Sequence, residues 1–148
     1  MIVIARSFTG KIWAGSEVFT MADNHVVSVS SDELEEERRH LNAHTARVGV
    51  EPFSVGEALD FAAQWICSHT RLKTKARLSL RRLVAYLLAW RLLRKSDLLS
   101  VRKRAKSHLE RYDRIRTGLV KEGIPKESIK KLSSGIANLT QGLEERKR

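Results

Sequence analysis

His40 and His44 stand four residues apart in the segment ELEEERRHLNAHTAR, with Glu36 and Glu37 a turn before them. On a helix that spacing sets two imidazoles on one face beside a carboxylate, an arrangement able to hold zinc. No third ligand is apparent, and the H-E-x-x-H order of a metalloprotease is missing because Leu41 and Asn42 follow His40. Two exposed histidines and no metal are expected. Cys67 is the single cysteine, which excludes an intrachain disulfide and an all-cysteine metal cluster. With no base beside it, Cys67 reads as a small apolar residue of a helix rather than a nucleophile. The chain has no Gly-rich phosphate loop and no G-x-S-x-G. The acids of SDELEEE crowd a helix start, where they suit the helix dipole, and make no convincing catalytic pair. The expectation is a protein that is not an enzyme and carries no cofactor.

The remaining chemistry is that of positive charge. Lys and Arg number 28 against 17 Asp and Glu, a formal net charge of +11. From Ser30 to Asp60 there are eight acids against three bases, whereas Arg71 to Arg116 holds sixteen bases against three acids, a net of +13. Such a field speaks for a polyanionic partner, because each basic side chain set on a phosphate releases condensed counterions. Nucleic acid is the first candidate and an anionic membrane the second. The longest apolar run, LVAYLLAW from Leu83 to Trp90, is far short of the roughly 30 Å of hydrocarbon in a bilayer. The start MIVIARSFTGKIW lacks a signal-peptide core. The chain reads as soluble and cytoplasmic, with no membrane partner.

Several elements must position these groups. At 148 residues the chain suits a single domain, residues 1–148, with no linker between its acidic and basic parts. Residues 1–22 mix β-branched and aromatic positions with Gly10 and Gly15, which predicts short strands or an arm. In NHVVSVSSDELEEERRH, Val27 and Val29 alternate with Val26, Ser28 and Ser30, a strand pattern. Ser30 and Glu33 form a capping box, so a helix begins where the strand ends. Its stripe is Leu34, Leu41 and Val48, and Gly49 is placed to stop it. A second capping box, Ser54 with Glu57, opens a helix carrying Val55, Ala58, Leu59, Ala62, Trp65, Ile66 and His69 at helical spacing, and Phe61 widens its apolar face. A third helix, about residues 75–95, buries Leu80, Leu83, Val84, Leu87, Leu88 and Leu92. Ser96 and Asp97 cap a fourth helix with the stripe Leu98, Val101, Ala105, Leu109, Tyr112, Ile115 and Leu119, ending near Gly123. A fifth follows Pro125, spacing Ile129, Leu132, Ile136, Leu139 and Leu143 by threes and fours.

The order strand, capped acidic helix, Gly-containing turn and Ser-capped helix, over Asn24 to about His69, resembles the ribbon-helix-helix family of DNA-binding proteins, the methionine-repressor and Arc type. That resemblance implies a mainly α fold: a ribbon-helix-helix core over residues 23–70, with a short N-terminal β element and a basic helical C-terminal extension over 71–148. It implies a homodimer in which two strands pair into a ribbon that enters the major groove of double-stranded DNA. Carried onto this chain, base contacts fall on Asn24, His25, Val26, Ser28 and Ser30. Phosphate contacts fall on Ser54 and Val55 at the start of the second helix. Apart from the resemblance, the basic segments lead us to expect further phosphate contacts at Arg6 and Lys11 of the arm and at Arg102, Lys103, Lys106 and Arg114 of the fourth helix. The dimer interface would include Val27, Val29, Ala62 and Ile66. The expected function is a sequence-specific transcriptional regulator. The competing reading is an all-helical accessory protein, of RNA or relaxosome type, whose basic helices bind polyanions without reading sequence.

Overall fold

The computed structural model describes the backbone of residues 12–14, 17–22, 25–69 and 71–146, and the side chains of 29–69 and 71–142. The expected strand forms as β3, His25–Ser30, but its partner lies in the same chain. It pairs antiparallel with β2, Glu17–Ala22, so that Val18 faces Val29 and Thr20 faces Val27. The other edge of β2 takes β1, Ile12–Ala14, with Trp13 opposite Val18.

A ribbon-helix-helix core needs a two-chain ribbon built from otherwise unpaired strands. Here one edge of β3 is already paired with β2 of the same chain in a three-stranded meander, and Val29 is buried, 1 % exposed, within its own chain. What dominates the described residues is helix, five α-helices in succession. The ribbon-helix-helix assignment is therefore corrected to an all-helical body preceded by a short strand meander.

The first helix, α1, spans Ser31–Arg47 and starts as its sequence dictates: Ser30 Oγ accepts from the Glu33 amide at 3.2 Å. It stops at Gly49, whose φ of +87° is one that residues with a Cβ rarely adopt. Leu34 and Leu41 are fully buried. The Ser54 cap does not form. Pro52 sets a 3-10 turn, Pro52–Val55, which absorbs Ser54, and α2 runs from Gly56 to Ser68 with buried Val55 as its uncapped first neighbour.

The apolar surplus of α2, which the dimer reading assigned to a second chain, is covered within this one. The helix packs on α1, β2, β3 and α5, Lys126–Arg146. Ala62 and Ile66 have no exposed surface. Phe61 lies against Gly135 of α5, where no room remains for a Cβ.

At the centre stands α3, Thr74–Leu93, touching all four other helices. Leu80, Leu83, Val84, Leu87 and Leu88 are buried together with Ala76, Ala85 and Ala89, so this helix is apolar around most of its circumference. Each large side chain so buried contributes about 1.5–3 kcal/mol relative to exposure. The basic α4, Leu99–Lys121, lies back along α3 as an antiparallel hairpin. It buries Ala105, His108, Tyr112 and Leu119. Leu98, expected on the stripe, instead precedes the helix and is 64 % exposed. The Ser96 hydroxyl accepts from the Leu98 amide at 3.2 Å, so it caps the turn and not the helix. Gly123, with φ +103°, turns the chain into α5.

Candidate nucleic-acid interface

Asn24, Arg6 and Lys11 lie outside the described residues, and His25, Val26 and Ser28 are described only as backbone of β3. Ser30 is exposed, but its hydroxyl is engaged as the cap of α1. Ser54 is half-buried in the 3-10 turn and the Val55 side chain is buried beside α2. On α4, Arg102, Lys103, Lys106 and Arg114 are all exposed. They do not form one group. Arg102 and Arg114 are twelve positions apart, about 18 Å along the helix, and of the four only Arg114 lines the cleft between α1, α3 and α4.

The flank of Arg111 is where the structure concentrates charge. A cleft of about 460 Å³ opens between three helices. The end of α1 supplies His44, Arg47 and Val48; α3 supplies Arg82, Ala85 and Tyr86; α4 supplies Arg111, Arg114 and Ile115. Four arginines and a histidine thus line one concavity whose lining includes no carboxylate. Its floor is apolar, from Val48, Ala85 and Ile115, with Tyr86 half-buried among them.

Local packing aims these groups. The Arg111 guanidinium lies 5.6 Å from the Tyr86 ring centroid, within cation–π range, and Tyr86 stacks on His108 at a centroid distance of 5.6 Å. The α1–α3 wall is fixed by a buried, two-pronged ion pair: Arg81 Nε donates to Glu37 Oε1 at 2.5 Å and Arg81 Nη2 to Glu37 Oε2 at 2.9 Å. This commits the one buried acid of α1 to Arg81, the neighbour of Arg82 in sequence. On the second side of α1, Arg38 pairs with Asp60 at 2.6 Å. Arg104 approaches Gly49 at the end of α1, the terminus where the helix dipole favours a cation.

The surrounding histidines register the positive field. Burial, then Arg47, Arg81, Arg82 and His40, hold the His44 imidazole below its ordinary protonation range. Burial, then Arg111 and Arg104, do the same to His108, whose two ring nitrogens have no hydrogen-bond partner among the described residues. Both rings are the more readily neutral, chiefly through burial, and an anion entering the cleft would offset the smaller share that the arginines add at His44.

No family model, curated protein or solved structure matches this chain. The cleft stands on its own chemistry. Of its cationic residues only Arg114 was among those expected from sequence; Arg47, Arg82 and Arg111 were missed. A signal was present in the i, i+4 pair Arg82 and Tyr86 and in Arg111 beside Arg114, since each places a cation next to an aromatic or apolar stripe.

His40 is exposed and sits 3.7 Å from Glu36 Oε1, while His44 turns toward the cleft. Among the described residues no three His, Cys, Asp or Glu side chains converge on a metal position. Cys67 is buried, and burial first, then Glu37, pushes its thiol up to about 11. No helix among the described residues is long and apolar enough to cross a membrane.

Proposed function

We propose that this protein is a helical nucleic-acid-binding accessory protein that engages its partner as a polyanion, through the arginine cleft between α1, α3 and α4. The observation that carries the reading is four guanidiniums around one concavity with no carboxylate in its lining. Arginines so placed repel one another, and a site of this kind is stable in use only when an anion shares it. Guanidinium is also the group best matched to phosphate, since its planar fork donates two parallel hydrogen bonds. The net charge of +11 supplies long-range attraction toward any polyanion, and the cleft supplies a place where the contact is made.

The reading as a sequence-specific regulator depended on a two-chain ribbon. With β3 paired inside the chain, no other base-reading element supports it among the described residues.

The test compares two triple variants that each remove three positive charges. Arg47→Ala/Arg82→Ala/Arg114→Ala empties the cleft, whereas Arg102→Ala/Lys103→Ala/Lys106→Ala strips α4 near its start. Fluorescence anisotropy with labelled DNA and RNA, titrated across salt, should show the cleft variant losing about 0.7–0.9 from the slope of log K against log salt for each phosphate contact removed. The outer variant should lose less. Equal losses would mean that net charge alone drives binding, and absence of binding by the parent protein at low salt would overturn the reading altogether.

A further inference from the structure

The arginine cleft is not the molecule's one concavity beside α3. A second concavity of about 430 Å³ opens farther along the α3–α4 hairpin, lined by Arg71, Lys73 and Lys75 on one side and by Glu122 and Ile124 on the other, with Leu72 and Ala76 in its apolar part. Both draw on α3 and on α4 or its end, at different heights along the hairpin. Because α3 and α4 are antiparallel, Tyr86 meets Arg111 at one end and Lys75 meets Glu122, 3.7 Å apart, at the other. Stepping inward by helical turns from these two contacts brings Arg82 opposite Ile115, then Ser79 opposite Gly118. Lys75, Ser79, Arg82 and Tyr86 share one face of α3, as Arg111, Ile115, Gly118 and Glu122 share one face of α4. Between the clefts these two faces carry Ser79 and Gly118, and a Cβ placed on Gly118 would meet nothing within 4 Å. Lys75 and Arg82, seven residues apart, are separated by about 10 Å along the helix.

Each cleft joins a cationic rim to an apolar floor. A duplex has no use for the floor, because its bases are stacked inside and it offers proteins a rigid phosphate cylinder. A single strand has both groups to give, a phosphate for the rim and a sugar and base for the floor. Resting on the nucleic-acid reading of the first cleft, we infer that the α3–α4 groove holds one single-stranded nucleic acid running continuously across both clefts, over Ser79 and Gly118, with a nucleotide seated in each. Phosphate then replaces Glu122 as the partner of Lys75. That ion pair is largely solvent-exposed and weak enough to exchange.

The probe is a labelled thymidine oligonucleotide of about eight residues, which at about 3.4 Å or more per nucleotide reaches both clefts, compared with a short duplex. Gly118→Leu fills the passage without changing charge, and Lys73→Ala/Lys75→Ala removes the far rim. Both sites are exposed, and circular dichroism verifies that the variants fold. Gly118→Leu should weaken the oligonucleotide about tenfold, the scale of one nucleotide's contacts, and leave the duplex unchanged. Lys73→Ala/Lys75→Ala should reduce the oligonucleotide salt slope by about 0.7 per contact, and Glu122→Gln should tighten binding. If both variants bind the oligonucleotide as the parent does while the cleft triple variant does not, the continuous strand is overturned and the nucleic-acid reading survives. Equal losses on oligonucleotide and duplex also overturn it. If the cleft triple variant is as good a binder as the parent, the underlying reading fails first.

Discussion

His108 shows how far a single residue in this protein can be held from its ordinary behaviour. Its ring is buried between Tyr86 and the arginines of α4, and neither nitrogen has a hydrogen-bond partner among the described residues. A buried polar group without a partner costs about 1–3 kcal/mol, so His108→Leu should stabilise the fold by about 1 kcal/mol despite the imperfect match in shape. Burial and the neighbouring arginines lower the folded-state pKa, so below the ordinary value of 6.5 the unfolded chain binds the proton more readily than the folded one. Stability is then greatest above that pH and falls as the solution is acidified through it. His44 contributes in the same direction. Urea unfolding at pH 7.5 and 5.5 should show a smaller acid loss in His108→Leu than in the parent; an unchanged loss would place the proton uptake elsewhere.

Two glycines at the element scale predict opposite outcomes for the same substitution. In a helix interior, glycine to alanine ordinarily stabilises by up to about 1 kcal/mol. Gly118 of α4 is exposed with open space around it, so Gly118→Ala should realise that gain. Gly135 of α5 is buried, and an added methyl would meet the Phe61 ring of α2. Because α5 is what covers the apolar surplus of α2, Gly135→Ala should cost about 1–3 kcal/mol through overpacking unless Phe61 turns aside. Thermal denaturation of the two variants measures the difference directly. A stabilised Gly135→Ala would show that the α2–α5 contact is soft. The same reasoning explains why α2 needs no second chain for Ala62 and Ile66, since α1, α5 and the strands enclose them.

For the whole molecule, charge and packing pull in different directions. The core is closed by residues of one chain, with α3 apolar around most of its surface, while the basic groups gather on the α3–α4 side. Self-repulsion among the cleft arginines opposes folding and is screened with a Debye length of about 8 Å at physiological ionic strength. Raising salt from a low value to the physiological range should therefore increase the unfolding free energy. Over that range the same salt should weaken nucleic-acid binding, since it removes the gain from counterion release. Denaturant titrations and anisotropy measured in matched buffers should show these opposite slopes. A stability that falls with salt would mean that ion pairs such as Arg38 with Asp60 outweigh the repulsion in the cleft.

Much of the local structure was legible in the residues themselves. The 3–4 spacing of Ile129, Leu132, Ile136 and Leu139 marks a buried stripe of α5, Ser30 with Glu33 marks the start of α1, and Gly49 marks its end, because each depends on neighbours within a turn or two. The concentration of bases after Arg71 was equally plain. What periodicity cannot carry is the identity of the surface that covers a stripe or the strand that completes a ladder. One edge of β3 could be paired equally by a twin strand or by β2, and the apolar face of α2 covered equally by a second copy or by α5. Both were decided by contacts distant in sequence. The cleft has the same origin: Arg47, Arg82 and Arg111 come from three helices, and each alone reads as a solvated cation. By itself the sequence determined the helices and their charge, which follow from local spacing and composition. Only the tertiary structure brought those charges around one cleft, because apolar burial sets which helices meet, and that in turn sets which cations must share a space.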